Sequence, residues 1–145
     1  MIYFARPYLP TKNLQYLMKL FGMAGELTRQ MQVPDTATLS FEERLSFLVD
    51  MEMTSRENRR LSRLLKGARL RDSACIEDID FRAHRGLERS VILSLATCDW
   101  IEKRRNVLIT GPTGVGKTFV VCALAHTGCR QGHPAIYYRS SRLFR

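Results

Sequence analysis

The feature that most restricts the fold of this 145-residue chain is a glycine-rich loop between two apolar segments. The stretch Asn106 to Thr110 leads directly into the loop, and the apolar segment Phe119 to Ala125 follows it. The loop itself reads Gly111-Pro112-Thr113-Gly114-Val115-Gly116-Lys117-Thr118. A strand that delivers the chain to a tight turn at the start of a helix is the setting in which this pattern binds phosphate. The sequence therefore predicts an α/β fold with a phosphate-binding loop.

Each part of the loop suits a bound nucleoside triphosphate. Gly111, Gly114 and Gly116 let backbone N–H groups converge on phosphate oxygens, and the positive end of the following helix adds to the attraction. Lys117 is expected to reach the β- and γ-phosphates, and Thr118 to offer its hydroxyl to Mg²⁺. We interpret all eight residues as a site for ATP and Mg²⁺. The alternative is a glycine-rich turn that precedes a helix by chance, which requires the pattern and both flanks to coincide.

The remainder of the sequence lacks the groups that phosphoryl transfer needs beside a phosphate cradle. Hydrolysis takes a carboxylate near the metal, a group that orients the attacking water, and usually an arginine finger. After Thr110 the chain contains five basic residues and no Asp or Glu, while Asp99 and Glu102 precede the first predicted strand. No complete catalytic set is assigned, and we expect this polypeptide to hydrolyse ATP poorly.

Composition and cysteine usage indicate the class of protein and its cellular location. An apolar content of 45% with 26% charged residues is typical of a globular protein. No stretch of about eighteen uncharged apolar residues exists, so no membrane partner is expected. The first ten residues lack a signal-peptide pattern. The four cysteines are widely spaced, which favours reduced thiols in the cytoplasm, with Cys122 and Cys129 buried on one face of the helix after the loop.

A second candidate interface lies on a predicted helix that starts at a capping box of Ser40 and Glu43 and runs through Arg69. Five cations share one face of its later half: Arg56, Arg59, Arg60, Arg63 and Lys66. With a net charge of +9 and only Glu57 nearby, this face suits the phosphate backbone of DNA. Neither aromatic stacking residues nor an RNA-binding signature accompany this face, so the contact is expected to be insensitive to base sequence. The alternative is a solvated face whose cations pair with acids elsewhere.

Hydrophobic periodicity predicts three further elements. Apolar residues at steps of three and four indicate a first helix from Leu14 to Met31, which Gly22 and Gly25 weaken. Another amphipathic helix is predicted from Leu87 to Ile101, and Ala135 to Tyr138 is predicted as a second strand.

Several segments together resemble the IstB-like ATP-binding proteins that assist insertion-sequence transposition. The matching segments are Leu39-Ser40-Phe41-Glu42-Glu43-Arg44-Leu45, Asn58-Arg59-Arg60-Leu61, Glu77-Asp78-Ile79-Asp80-Phe81, Leu95-Ala96-Thr97-Cys98 and Asn106 through Thr118. The resemblance covers Asn13 to Arg145, and the family is related to the DnaC-type helicase loaders. It implies a P-loop NTPase domain of the AAA+ type, with a parallel sheet, after an α-helical N-terminal region.

The resemblance also implies a division of the chain. Residues 1–10 form an atypical N-terminal extension, 11–72 the helical region, 73–105 a connector and helix, and 106–145 a truncated ATPase domain. The family's acidic metal-binding motif, sensor residues and arginine finger lie further along than Arg145, so the sheet is expected to be incomplete. In that family, later strands of the chain lie between the first two strands in the sheet. Without those later strands, backbone groups of the first two stay unpaired, so residues 106–145 are expected to fold only marginally.

The function that the resemblance implies is that of an ATP-binding accessory protein of DNA transposition. Such a protein assembles on DNA and assists its cognate transposase, and self-association is expected only of the full-length form. Two alternatives stay open. One is a replicative helicase loader, and the other is a non-enzymatic fragment whose helical part binds DNA or a partner without nucleotide.

Overall fold

A computed structural model describes residues 14–15, 18–33, 38–82 and 86–139. The chain divides between Arg59 and Arg60 into two compact units. The regular elements of the described residues are α1 (Phe21–Gln32), α2 (Phe41–Ala68), a 3-10 turn (Ile76–Asp78), α3 (Arg89–Ala96), α4 (Asp99–Glu102) and α5 (Lys117–Arg130). Within those described ranges, none of the helices is long and apolar enough to cross a membrane.

Helix α2 begins at the predicted capping box. The Ser40 N–H donates to Glu43 Oε2 at 2.8 Å, and the Glu43 N–H donates to Ser40 Oγ at 3.2 Å. Two N–H groups at the helix start are thereby satisfied by side chains. The helix ends at Ala68 because Arg69 has a φ of 49°, which a right-handed helix cannot continue. The predicted extent of this helix is confirmed to within one residue at each end.

Helix α1 starts later than the periodicity predicted. Lys19 has a φ of 56°, so the predicted helix from Leu14 to Met31 is interrupted, and the continuous helix begins only at Phe21. Gly22 lies against α2, where a Cβ would overlap the Met51 carbonyl oxygen. The glycine that lowers helix propensity is therefore required by the close approach of two backbones.

In the second unit, α5 supplies most of the core. Val120, Cys122, Ala123 and Leu124 of α5 are buried together with Ile92 of α3 and with residues that flank the 3-10 turn. The predicted burial of two thiols is confirmed, since Cys122 is 0% and Cys129 is 1% exposed. All four cysteines are free thiols. The core thus holds the helix that follows the glycine-rich loop.

The helix predicted from Leu87 to Ile101 is broken into α3 and α4. Cys98, buried and with a φ of 62°, reverses the chain between them. The Trp100 indole N–H donates to the Leu95 carbonyl oxygen at 3.0 Å, and Gln131 Nε2 donates to the Ala96 carbonyl oxygen at 2.8 Å. These side chains bind carbonyls at the end of α3, where the regular helical hydrogen bonds stop. The Leu95 carbonyl also accepts the Cys98 N–H at 3.1 Å.

Neither predicted strand forms a ladder within the part of the chain that the structure describes. Asn106 to Thr110 and Ala135 to Tyr138 carry no regular structure, and the Tyr137 N–H donates to the Ala68 carbonyl oxygen at 2.9 Å. A strand exists only through its pairing with neighbours, and an isolated pair is marginal in water. The predicted sheet is therefore not confirmed, while the loop and the helix after it are present.

Candidate phosphate-binding site

The predicted phosphate-binding loop lies at the start of α5. Gly116 is the N-cap residue, and Lys117 and Thr118 are the first two residues of the helix. Gly111 to Gly114 are exposed, whereas residues 115–118 are half-buried. The site is thus an exposed loop on a helix that the core holds in place.

All three glycines in the loop have a positive φ that other residues rarely adopt, and Gly111 has a φ of 146°. Gly114 has a φ of 88° and Gly116 a φ of 91°. No atom lies within 4 Å of a Cβ built on Gly114, so the need for glycine there is conformational rather than a matter of space. Left-handed residues in such a loop turn backbone N–H groups toward a common concavity, which is the geometry that binds anions.

The ammonium of Lys117 folds back over the loop. Its Nζ donates to the Gly111 carbonyl oxygen at 2.8 Å and to the Pro112 carbonyl oxygen at 2.6 Å. An ammonium has three donors, so two are committed to the loop and one is left over. The charge is held at the mouth of the loop, where phosphate oxygens can replace the carbonyl acceptors.

The first turn of α5 favours an anion. Gly116 supplies no side-chain hydrogen bond to the helix start, and the first turn contains no acidic residue. The leading N–H groups of a helix need acceptors and carry the positive end of its dipole. An anion at this end satisfies both requirements, which is the physical basis for phosphate binding at helix N-termini.

Two of the carboxylates that precede the loop in the sequence are engaged elsewhere. Asp99 of α4 pairs with Lys103 at 3.5 Å, and Glu77 pairs with Arg130, at the opposite end of α5 from the loop, at 3.3 Å. Among the described residues, no group of three or more His, Cys, Asp or Glu side chains forms a metal site. The loop thus offers the means to hold phosphates, and the sequence contains no Asp or Glu after Glu102.

The basic face predicted on α2 separates into residues with different partners. Arg56 Nε donates to Glu52 Oε1 at 2.8 Å, and Arg59 Nη2 donates to the same oxygen at 3.2 Å. Arg59 also lies over the Phe21 ring, 4.9 Å from its centroid. The expectation that only Glu57 accompanies this face is wrong, because Glu52 neutralises two of its cations. The spacing of four and seven residues could have revealed this acid in the sequence.

The remaining cations of that face lie in the second unit. Arg60 donates to the Gly132 carbonyl oxygen at 3.4 Å. Arg63 and Lys66 line a depression of 540 Å³ that Tyr138 also lines. The expectation that no aromatic residue accompanies these cations is wrong, because the Tyr137 hydrogen bond to Ala68 brings its neighbour to them. Tyr138 lies far from Arg63 and Lys66 in the sequence, so the sequence pattern did not indicate this contact.

Comparison with known proteins places these features in a family. Residues 13–145 match the family model described as "IstB-like ATP binding protein". The chain is 50% identical over 134 residues to the Pseudomonas fluorescens "Insertion sequence IS1162 putative ATP-binding protein", covering 92% of this chain and 58% of that protein. It is 42% identical to a Sinorhizobium fredii protein with an insertion-sequence ATP-binding name, covering 92% of this chain and 54% of the relative. The chain therefore spans little more than half the length of the relatives it matches.

Proposed function

Because the chain belongs to the family of IstB-like ATP-binding proteins, we propose that it is an ATP-binding accessory protein of DNA transposition that assembles on DNA and assists a transposase. The observation that carries the proposal is the loop Gly111 to Thr118 with the Lys117 ammonium held over it. The insertion-sequence names of the relatives support transposition over replicative helicase loading. The proposed role on DNA and the four free thiols support a cytoplasmic location.

The residues present fit a nucleotide with its metal. The loop N–H groups and Lys117 would hold the phosphates, and the Thr118 hydroxyl would be a ligand of Mg²⁺, a hard cation that prefers oxygen. When bound, Mg²⁺ neutralises part of the phosphate charge. As the start of a P-loop NTPase of the AAA+ type, the loop would follow the first strand of a parallel sheet. Residues 106–110 would form that strand when neighbouring strands are supplied.

Nucleotide titration by calorimetry tests the proposal. We expect saturable binding of ATP with Mg²⁺ to the full chain, and Lys117→Ala should weaken it about tenfold or more, since a charge-assisted hydrogen bond to phosphate is lost. Lys103→Ala is the matched control, because it removes the same charge from α4's exposed end. Binding that is absent in the unmodified chain, or equally weakened by both variants, would refute the assignment.

A further inference from the structure

One surface of the second unit combines cations with an exposed aromatic ring. Two shallow depressions of 540 and 520 Å³ adjoin there, since both are lined by Arg69 and Tyr138. We call this the basic–aromatic surface, and its members are Arg63, Lys66, Arg69, Arg71, Tyr138 and Arg139. No Asp or Glu lines either depression.

Backbone contact holds the two parts of this surface together. The Tyr137 N–H donates to the Ala68 carbonyl oxygen at 2.9 Å, which joins the segment of Tyr138 and Arg139 to the end of α2. Arg69, with its φ of 49°, turns the chain away at the same point. Residues far apart in sequence are therefore presented side by side.

The charge of this surface is not neutralised within the protein. Among the described residues, none of its five cations has a carboxylate partner within 4.0 Å. By contrast, other cations of the chain do have such partners, as Arg56 has Glu52 and Arg130 has Glu77. Five exposed cations repel one another, and a polyanion with regularly spaced charges relieves that repulsion.

The aromatic ring narrows the choice of polyanion. Tyr138 is 58% exposed, and Ile136 beside it is 62% exposed. A duplex presents phosphates to such a surface, but its bases stay stacked on one another. The Tyr138 ring therefore adds little to the binding of a duplex. Unpaired bases can stack on an exposed aromatic side chain while their phosphates lie on neighbouring cations.

We propose that the basic–aromatic surface binds a short single-stranded stretch of nucleic acid, with phosphates on the cations and a base stacked on Tyr138. This inference rests on the proposed function and refines its DNA contact from the phosphate backbone alone to the backbone and bases of unpaired nucleotides. It also separates the contact from the phosphate-binding loop, which shares no residue with this surface.

Fluorescence anisotropy of the full chain with a labelled oligothymidylate and a length-matched duplex tests the inference. We expect tighter binding of the single strand. Tyr138→Ala should weaken it about fivefold or more, whereas Tyr138→Phe should stay within about twofold because the ring is kept. The double variant Arg63→Ala with Lys66→Ala should lower the slope of log affinity against log salt by about 1.4.

Two matched substitutions serve as controls, and circular dichroism checks that every variant is folded. Arg105→Ala removes an exposed cation outside the surface, and Phe47→Ala removes an aromatic ring that is 45% exposed in the first unit. Both should bind the oligonucleotide as the unmodified chain does. Duplex binding as tight as single-strand binding, or an unchanged affinity after Tyr138→Ala, overturns the inference.

The same samples distinguish failure of this inference from failure of the proposed function. If neither oligonucleotide binds while calorimetry still detects ATP, the surface is wrongly assigned and the nucleotide site stands. If the single strand binds as expected while ATP does not, the proposed function fails and the surface stands as a nucleic-acid contact.

Discussion

At the scale of single residues, Glu52 of the first unit accepts hydrogen bonds from four partners. Its Oε2 accepts from the Gly22 N–H at 2.8 Å and the Met23 N–H at 3.3 Å, and its Oε1 accepts from Arg56 and Arg59. Leu20, the N-cap residue of α1, has no side chain that could do this. A carboxylate from α2 thus caps α1 and neutralises two arginines at once.

Burial by itself would raise the pKa of Glu52. The hydrogen bonds from Arg56 and from the Met23 and Gly22 backbone outweigh that effect and hold the pKa below its ordinary value. A carboxyl with a depressed pKa binds fewer protons in the folded than in the unfolded state. Its contribution to stability is therefore complete above the unfolded pKa of about 4.3 and is lost as the pH falls through the lower, folded pKa.

We predict that Glu52→Gln lowers the free energy of unfolding at pH 7 by about 1 to 3 kcal/mol, because a buried charged acceptor is lost. It should also make stability less dependent on pH below about 5. Urea denaturation across pH measures both effects. Glu57→Gln, an exposed neutralisation on the same helix, should change neither, and equal effects of the two variants would contradict the role of Glu52.

At the scale of residues, the local geometry of the loop agrees with its sequence pattern, while phosphate binding by these residues stays a prediction. The glycines and Lys117 of the loop form a pattern along the chain, and their backbone angles and hydrogen bonds agree with it. The capping of α1 by Glu52 and the position of Tyr138 beside Arg63 and Lys66 depend on residues that folding brings together, and a single sequence does not reveal such contacts. The pairs of Glu52 with Arg56 and Arg59 are local, and their spacing does indicate them.

At the scale of elements, the packing of α1 on α2 depends on which glycine faces the partner helix. A Cβ on Gly22 would overlap the Met51 carbonyl oxygen and approach Glu52 Cα to 2.7 Å, whereas a Cβ on Gly25 meets nothing within 4 Å. Both residues lie inside α1 and lower its helix propensity equally. A comparison of the two positions therefore distinguishes the steric requirement for glycine from its effect on helix propensity.

We predict opposite effects from the same substitution at these positions. Gly22→Ala should destabilise the chain by about 1 to 3 kcal/mol because backbone must move, and Gly25→Ala should stabilise it by about 0.5 to 1 kcal/mol. Thermal unfolding followed by circular dichroism compares them. Stabilisation by both substitutions would show that the two helices do not approach as closely as described.

The starts of helices marked by strong local sequence signals were predictable, whereas the break in a helix and the strands were not. The capping box and the glycine loop predicted where α2 and α5 begin. The left-handed turn at Cys98 contains no glycine or proline that would indicate a break in the helix. The hydrophobic periodicity continues across it and therefore predicted one unbroken helix. The predicted strands have no partner among the described residues, and pairing is a property that a single segment lacks.

At the scale of the whole molecule, these 145 residues contain a phosphate-binding pattern without the carboxylates that usually accompany it. The chain carries no Asp or Glu after Glu102, and Asp99 is paired with Lys103. Without a carboxylate near the metal, the groups that organise water for attack on the γ-phosphate are incomplete. We therefore expect these 145 residues, taken alone, to hydrolyse ATP slowly.

We predict that the purified chain releases phosphate from ATP far more slowly than the roughly 1 to 1,000 s⁻¹ of ordinary enzymes. A coupled phosphate assay measures the rate, and Lys117→Ala identifies the part that depends on the loop. Turnover in the enzymatic range that Lys117→Ala abolishes would mean that the chain possesses a catalytic set of its own.

The position of the Lys117 ammonium has a consequence for selectivity among nucleotides. Since two of its hydrogen bonds already go to the loop, any newcomer must offer acceptors good enough to displace them. If the proposed site is correct, a nucleotide must carry a β-phosphate to bring charged oxygens to Lys117, so we expect ATP and ADP to bind more tightly than AMP. The lysine would then select nucleotides by the length of their phosphate chain.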